Sequence, residues 1–494
     1  MIPTDEQTAA VDAFRAGHHL ALQAGSGTGK TRTLILLASS TPRRGRYLAF
    51  NKDIARDAAT RFPSTVACKT AHALAFATVG HRYARRLNSA RQPGWKTGRA
   101  LGITQGIRIG DRAVTHKALS DTVLRTVACY CHSADRALDR HHIPRLRGLD
   151  TPALHAQLAS VVLPFARRAW ADISDPDGGV VRFEHDHYLK LWALTEPRID
   201  ADFLLLDEAQ DTNPVLEQVF TAQRDHAQLV MVGDSAQAIY GWRGARDVMT
   251  GFDGQHLSLS RSFRFGPRLA EEANRWLEIA RAPIRLTGTT SIPTEIAPVH
   301  EPDAVLCRTN VGAVTQVMKY LAAGHHVSLA GGGGSLRTLA IAARDLTAGR
   351  RPWHPELLLF PNWGELQDYA EHDPAGADLK PFVDLIDQHG PEALLHAVDR
   401  LSPEADADVT ISTAHRAKGR EWATVLIAGD FEPPKPSRQQ PGNGQSSGPC
   451  PISDSEARLA YVAVTRARDR LDLGGLSWIH DHPDGHLPPD REDQ

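Results

Sequence analysis

The chain has 494 residues, too long for one hydrophobic core, so two to four domains are expected. With 41% apolar and 23% charged residues its composition is that of a globular protein, and a formal net charge of −2 excludes a global basic field for nucleic acid. Any nucleic-acid site must be local. Five scattered cysteines (Cys68, Cys129, Cys131, Cys307, Cys450) argue against a disulfide scaffold and for a reducing compartment. The polar N-terminal segment and the lack of a long apolar run predict a soluble, cytoplasmic protein, nucleoid-associated if bacterial.

In chain order, short apolar runs end in polar or glycine turns: "HLALQAGSG" (18–26), "RYLAFNK" (46–52), "DFLLLDEAQ" (202–210), "QLVMVGD" (228–234) and "HLSLS" (256–260). A second series follows: "AVLCRTN" (304–310), "HHVSLAGG" (325–332), "DVTISTAH" (408–415) and "ATVLIAGD" (423–430). Helical patterns fall between them, which predicts two tandem α/β domains with parallel sheets. Functional groups are then expected at the carboxyl ends of the strands. Strand signals fade over 86–195 and again over 352–403, two mostly helical insertions. The expected division is 1–85 with 196–265 for the first domain and 266–351 with 404–480 for the second. A polar tail occupies 481–494. Residues 432–451, rich in Pro, Gly, Ser and Gln, read as a mobile loop. "GGGG" (331–334) reads as a tight turn without an evident role.

"AGSGTGKT" (Ala24, Gly25, Ser26, Gly27, Thr28, Gly29, Lys30, Thr31) lies between a strand and a helix, with Arg32 next. Glycines let backbone N–H groups converge on phosphate oxygens, Lys30 can reach the terminal phosphates, and the Thr31 hydroxyl can hold Mg²⁺. "LLLDEAQD" (204–211) ends a strand in two carboxylates. Asp207 suits Mg²⁺ and Glu208 suits polarisation of a water. Together they predict ATP hydrolysis. "CYCHSADRALDRHH" (129–142) offers Cys129, Cys131, His132, His141 and His142, but C-x-C-H on a helix points its thiols about 200° apart, so zinc is not expected. "HDH" (185–187) reads as polar surface near the domain seam.

The ordered motifs from residue 7 to residue 470 resemble those of superfamily 1 DNA helicases of the UvrD/Rep type. "HDHYLKLWAL" (185–194), "SFRFG" (262–266), "TAHRAKGREW" (413–422) and "LAYVAVTRARDRL" (459–471) are most similar to the F-box DNA helicase branch, with no F-box segment expected ahead of the core. The resemblance implies two RecA-like P-loop domains, each with an insertion, the second one short. It implies that Gln7 reads adenine, Phe263 stacks on it, Gln237 touches the γ-phosphate or the attacking water, Arg264 contacts the γ-phosphate, Glu421 binds ribose and Arg466 is an arginine finger from the second domain. It also implies 3′-to-5′ movement on single-stranded DNA or single/double-strand junctions, as a monomer, with recombination or replication proteins as candidate partners. Aromatic stacking and phosphate contacts hold single strands. Trp242 with Arg243 beside it, Asn51, Thr70, His72, Thr413, His415 and Lys418 are the candidates. Phe50 is either a stacking residue or a core aromatic at a strand end, and Tyr240 is expected to pack. The expected function is ATP-dependent single-stranded DNA translocation and unwinding in repair or recombination. The alternative is displacement of proteins from single-stranded DNA.

Overall fold

The computed structural model describes residues 2–87, 93–146, 148–149, 151–239, 248–354, 357–358, 360–372, 379–434 and 450–486. Fourteen strands are described: β1 Leu20–Ala24, β2 Gly45–Ala49, β3 Val66–Thr70, β4 Ile107–Ile109, β5 Arg112–Val114, β6 Phe203–Leu206, β7 Gln228–Gly233, β8 Gln255–Leu259, β9 Glu295–Ile296, β10 Ala304–Cys307, β11 Val327–Leu329, β12 Val409–Thr413, β13 Trp422–Ile427 and β14 Ala467–Asp472. They form two six-stranded parallel sheets, ordered β3-β2-β6-β7-β1-β8 and β11-β12-β10-β13-β14-β9, plus the β4–β5 hairpin. The chain is thus built of two parallel α/β units in tandem, the RecA-like arrangement.

Strands covered on both faces must be apolar on both. In β6, Leu204 and Leu206 enter one core while Phe203 and Leu205 enter the other. β10 divides likewise, Ala304 and Leu306 from Val305 and Cys307. Among the described residues, neither insertion builds a core of its own. Leu119, Val123, Leu158, Val162 and Trp192 of the first join the core under β6 and β7. Trp363, Leu366, Phe382 and Leu394 of the second join the core under Val305.

Three details differ from expectation. The first insertion carries the β4–β5 hairpin among its helices, because its strands are only three residues each and leave no readable alternation. β3, β9 and β14 are strands without an apolar run. β3 and β9 lie at sheet edges, and β14 ("ARDRLD") buries only Ala467 and Leu471. The HDH segment is polar surface only in part: His185 is exposed and Asp186 half-exposed, but His187 is buried. It opens the helix His185–Leu194, in which His187 is 8% exposed and its Nδ1 accepts the Glu184 N–H at 3.0 Å.

The GGGG turn has a describable function. Gly331 and Gly332 take φ of +80° and +74° after β11, and Arg416 lies across them, its Nη1 donating to Ala330 O at 2.9 Å. A Cβ on Gly331 would stand 2.8 Å from that nitrogen. Arg416 belongs to "TAHRAKG", so the turn seats that segment. Residues 435–449 and 487–494, most of the expected mobile loop and of the polar tail, lie outside the described residues.

Burial pushes the His187 imidazole down to about 4, with Asp186 opposing and Arg86 and His132 assisting. The folded value lies below the ordinary 6.5, so this contribution is whole above pH 6.5 and is lost as pH falls towards 4. It amounts to about 3 kcal/mol. Urea midpoints between pH 7.5 and 4.5 should fall less steeply for His187→Gln than for the parent chain.

Candidate nucleotide and DNA site

The first sheet sets the site. β1, β7 and β6 are neighbours in register, so the loop after β1, the turn after β7 and the carboxylates after β6 emerge side by side. Gly27 and Gly29 adopt φ of +75° and +80°, and Gly29 caps the helix Lys30–Ser39, aiming its free N–H groups at the loop. The loop is held from outside: Phe263 N donates to Gly27 O at 2.8 Å, and a Cβ on Gly27 would strike Ser262 and Arg264.

Asp207 is 5% exposed, and its Oδ2 accepts from the Thr31 hydroxyl at 2.9 Å and the Tyr47 phenol at 2.7 Å. Tyr47, on the adjacent β2, went unnoticed in the sequence because it sits inside an apolar strand. Glu208 holds φ +52°, a strained value for a residue with a side chain, and its carboxylate accepts from Gln210 Nε2 at 2.6 Å. Burial and the adjacent Glu208 raise the Asp207 carboxyl. Burial also acts upward on Glu208, but Lys30, Gln210, Lys418 and Arg466 together hold it below its ordinary value, in its charged form. The facing Thr31 hydroxyl and Asp207 carboxylate are hard oxygen donors of the kind Mg²⁺ takes.

The second unit closes onto this loop. Ser26 Oγ, in a residue 1% exposed, accepts from Arg264 Nη1 at 2.9 Å and Arg466 Nη2 at 3.2 Å. The Tyr461 hydroxyl accepts Ser26 N–H at 2.9 Å and donates to Asp234 Oδ2 at 2.8 Å. Gln237 Nε2 donates to the same Asp234 oxygen at 2.7 Å. Burial, helped by the neighbouring Arg264, lowers the Arg466 guanidinium to about 9. Two guanidinium groups thus meet at one neutral hydroxyl, an arrangement that favours an anion. Tyr461 and Asp234 were missed in the sequence, since neither spacing nor composition marks them.

The remaining nucleotide candidates flank the loop. A Cβ on Gly29 would lie 3.6 Å from Gln7 Nε2 and 3.8 Å from the Phe263 ring, so these two stand together at the helix start. The Gln7 amide is engaged locally, with Thr4 N and the Thr33 hydroxyl. Glu421 pairs with Arg264 Nε at 2.7 Å. Arg32 is exposed on the first turn of the helix.

Of the DNA candidates, Phe50 is 60% exposed at the end of β2, which removes the core alternative. Phe50, Thr70 and His72 line one cleft with Asp207, Glu208 and Asn213. Asn51, Thr70 and Thr413 each cap a helix, accepting from the N–H of Ile54, Ala73 and Arg416. His415 is half-buried, its imidazole lowered by burial and by Arg308. Lys418 departs from the expected phosphate contact. Its amino group is turned inward to Asp211 Oδ1 at 2.6 Å and Gln237 O at 2.5 Å, with both side chains 8% exposed. Sequence spacing cannot reveal this, because the partner comes from the other unit. Tyr240, Trp242 and Arg243 lie outside the described residues.

In the cysteine and histidine cluster, Cys131 is buried, Cys129 is exposed and His132 turns to Asp186. His141 and His142 share the Asp135 carboxylate at 2.6 and 3.0 Å.

Lys418→Met leaves Asp211 buried without its partner, and breaking such a pair costs about 3–5 kcal/mol. Guanidinium denaturation should show this loss, and Asp211→Asn in the same chain should recover much of it.

The UvrD/REP helicase N-terminal domain profile matches residues 186–251, and the UvrD-like helicase C-terminal domain profile matches 367–476. F-box DNA helicase protein 1 of Schizosaccharomyces pombe is 30% identical over 95% of this chain and 57% of its own length. F-box DNA helicase 1 of Gallus gallus is 29% identical over 92% of this chain and 47% of its own length. The chain therefore spans about half the length of these two relatives. ATP-dependent DNA helicase UvrD2 of Mycobacterium tuberculosis is 26% identical over 96% of this chain and 78% of its own length. Paired parallel sheets, a phosphate loop met by two arginines and these likenesses agree: the chain is similar to the UvrD/Rep helicases of superfamily 1 and carries matches to both their N-terminal and C-terminal domain profiles.

Proposed function

We propose that the chain hydrolyses ATP to move 3′-to-5′ along single-stranded DNA and to open duplex at single/double-strand junctions, in repair or recombination. The observation that carries this reading is the contact of Arg466, from the second unit, with Ser26 on the phosphate loop of the first, where Arg264 also donates. Cations that reach the phosphates only when two units close make hydrolysis depend on closure.

In this reading Phe263 and Gln7 hold the adenine, Glu421 the ribose, and residues 24–32 the phosphates. Thr31 and Asp207 would hold Mg²⁺, which supplies charge neutralisation between the phosphates when bound. Glu208 orients the attacking water and takes up its proton. Lys30, Arg264 and Arg466 stabilise charge on the transferring group, and Gln237 senses the terminal phosphate. Its bond to Asp234 and the Lys418 bond to its carbonyl carry that state to both units. Phe50, Asn51, Thr70, His72, Trp242, Arg243, Thr413 and His415 are the proposed strand contacts.

One observation favours a second reading. The second insertion contains only the helices Trp363–His372 and Lys380–Asp399 among its described residues and shares its core with the second sheet, so little projects to engage duplex. The chain would then displace proteins, such as a recombinase, from single strands with little unwinding.

ATPase assays with single-stranded DNA, duplex DNA and RNA side by side test enzyme and substrate together, with single-stranded DNA expected to stimulate most. Lys30→Ala should abolish hydrolysis, and Glu208→Gln should retain nucleotide binding but not turnover. Equal stimulation by RNA would redirect the substrate assignment. Trp242→Ala should weaken single-strand binding by roughly 1–3 kcal/mol in fluorescence anisotropy if the ring stacks a base.

A further inference from the structure

Asp186 has no part in nucleotide chemistry, yet its two carboxylate oxygens take two different histidines. Oδ1 lies 3.1 Å from His72 Nε2, and Oδ2 lies 3.0 Å from His132 Nε2. The three residues come from three elements. His72 is on the helix Ala71–Thr78 that follows β3, His132 ends the insertion helix His116–His132, and Asp186 is in the first turn of His185–Leu194. The bonds from His132 and His72 outweigh burial and hold the Asp186 carboxyl well below the usual carboxylate range.

The same helix grips the insertion a second time. Lys190, four residues on and 1% exposed, donates to Ser133 O at 2.7 Å and Asp135 O at 2.5 Å, just past the end of the helix His116–His132. A cation there complements the helix dipole. Between the two charges, Tyr188 packs edge-on against His72 and Phe76, with ring centroids 6.0 and 5.7 Å apart. Asp186, Tyr188 and Lys190 thus make the HDHYLK segment a junction between the strand-end helix of the first sheet and the insertion.

The His72 side chain is 39% exposed and stands on the cleft shared with Phe50 and Thr70. A half-exposed imidazole on a helix is free to change rotamer; one bonded to a carboxylate that is itself fixed is not. With Nε2 committed to Asp186, Nδ1 is the ring nitrogen left for a ligand. We propose that Asp186 is a positioning residue for single-stranded DNA: it fixes the His72 ring against the sugar-phosphate backbone and, through His132, ties that orientation to the insertion. This rests on the reading of the cleft as a strand site.

The test is DNA-stimulated ATPase on the full chain, using oligo-dT. Asp186→Asn should raise the DNA concentration for half-maximal stimulation by about tenfold, as loss of a charge-assisted bond does, and leave kcat at saturating DNA and the KM for ATP unchanged. His72→Ala should act similarly, and the double variant should be no worse than either single one. His132→Ala leaves the Asp186–His72 bond in place and should have a smaller effect. It also serves as the readout if Asp186→Asn fails to fold, since an effect equal to that of His72→Ala would overturn the positioning role. Multiplying effects in the double variant, or a shift in the KM for ATP, would overturn it too. If His72→Ala changes nothing, the strand-site reading fails and the proposal with it. If His72→Ala acts and Asp186→Asn does not, the proposal alone fails.

Discussion

The structure turns on one residue of the phosphate loop. Ser26 is buried, and both its backbone N–H and its hydroxyl are engaged by groups far along the chain: Tyr461 takes the first, Arg264 and Arg466 the second. A loop shaped to receive phosphate is thereby also a docking point for the second unit. Everything else in the site follows from holding that contact. The glycines keep the loop thin enough for Arg264 and Ser262 to approach, and the parallel sheet brings Glu208 and Gln237 to the same edge. The segment after β7 commits to the far side, Ala236 and Ile239 being buried in the core of the second unit.

Charge inside the cleft is arranged around that contact. Asp207, Glu208, Asp211 and Asp234 are buried with Lys30, Lys418, Arg264 and Arg466 among them. No single pair accounts for the balance. Lys418 is spent on Asp211, Arg264 on Glu421, and Arg466 donates mainly to backbone carbonyls and to Ser26.

Much of this was legible in the sequence, for reasons that can be stated. Strands buried on both faces announce themselves as apolar runs, which is why β1, β6, β7 and β10 were readable while the edge strands β3 and β9 were not. Glycine spacing before Lys30 and the paired carboxylates after β6 carry their chemistry in residue type alone. What stayed hidden depends on contacts between segments distant in the chain. Tyr47 reads as a core aromatic until its phenol is seen on Asp207. Lys418 reads as a phosphate contact until Asp211 appears beside it, and Asp186 reads as surface until two histidines close on it. The Phe50 ambiguity was of the same kind, decided by exposure that no single strand can encode.

The chain of bonds from Ser26 through Tyr461 and Asp234 to Gln237 has one more consequence. All four residues are buried, and each link of the chain is a bond between protein groups. Separating the two units replaces the Tyr461 hydroxyl with water at both Ser26 and Asp234, so opening the cleft is a hydration step and closing it a drying step. The position of that equilibrium then responds to water activity as well as to nucleotide: osmolytes excluded from the cleft favour the closed form at any fixed concentration of ligand.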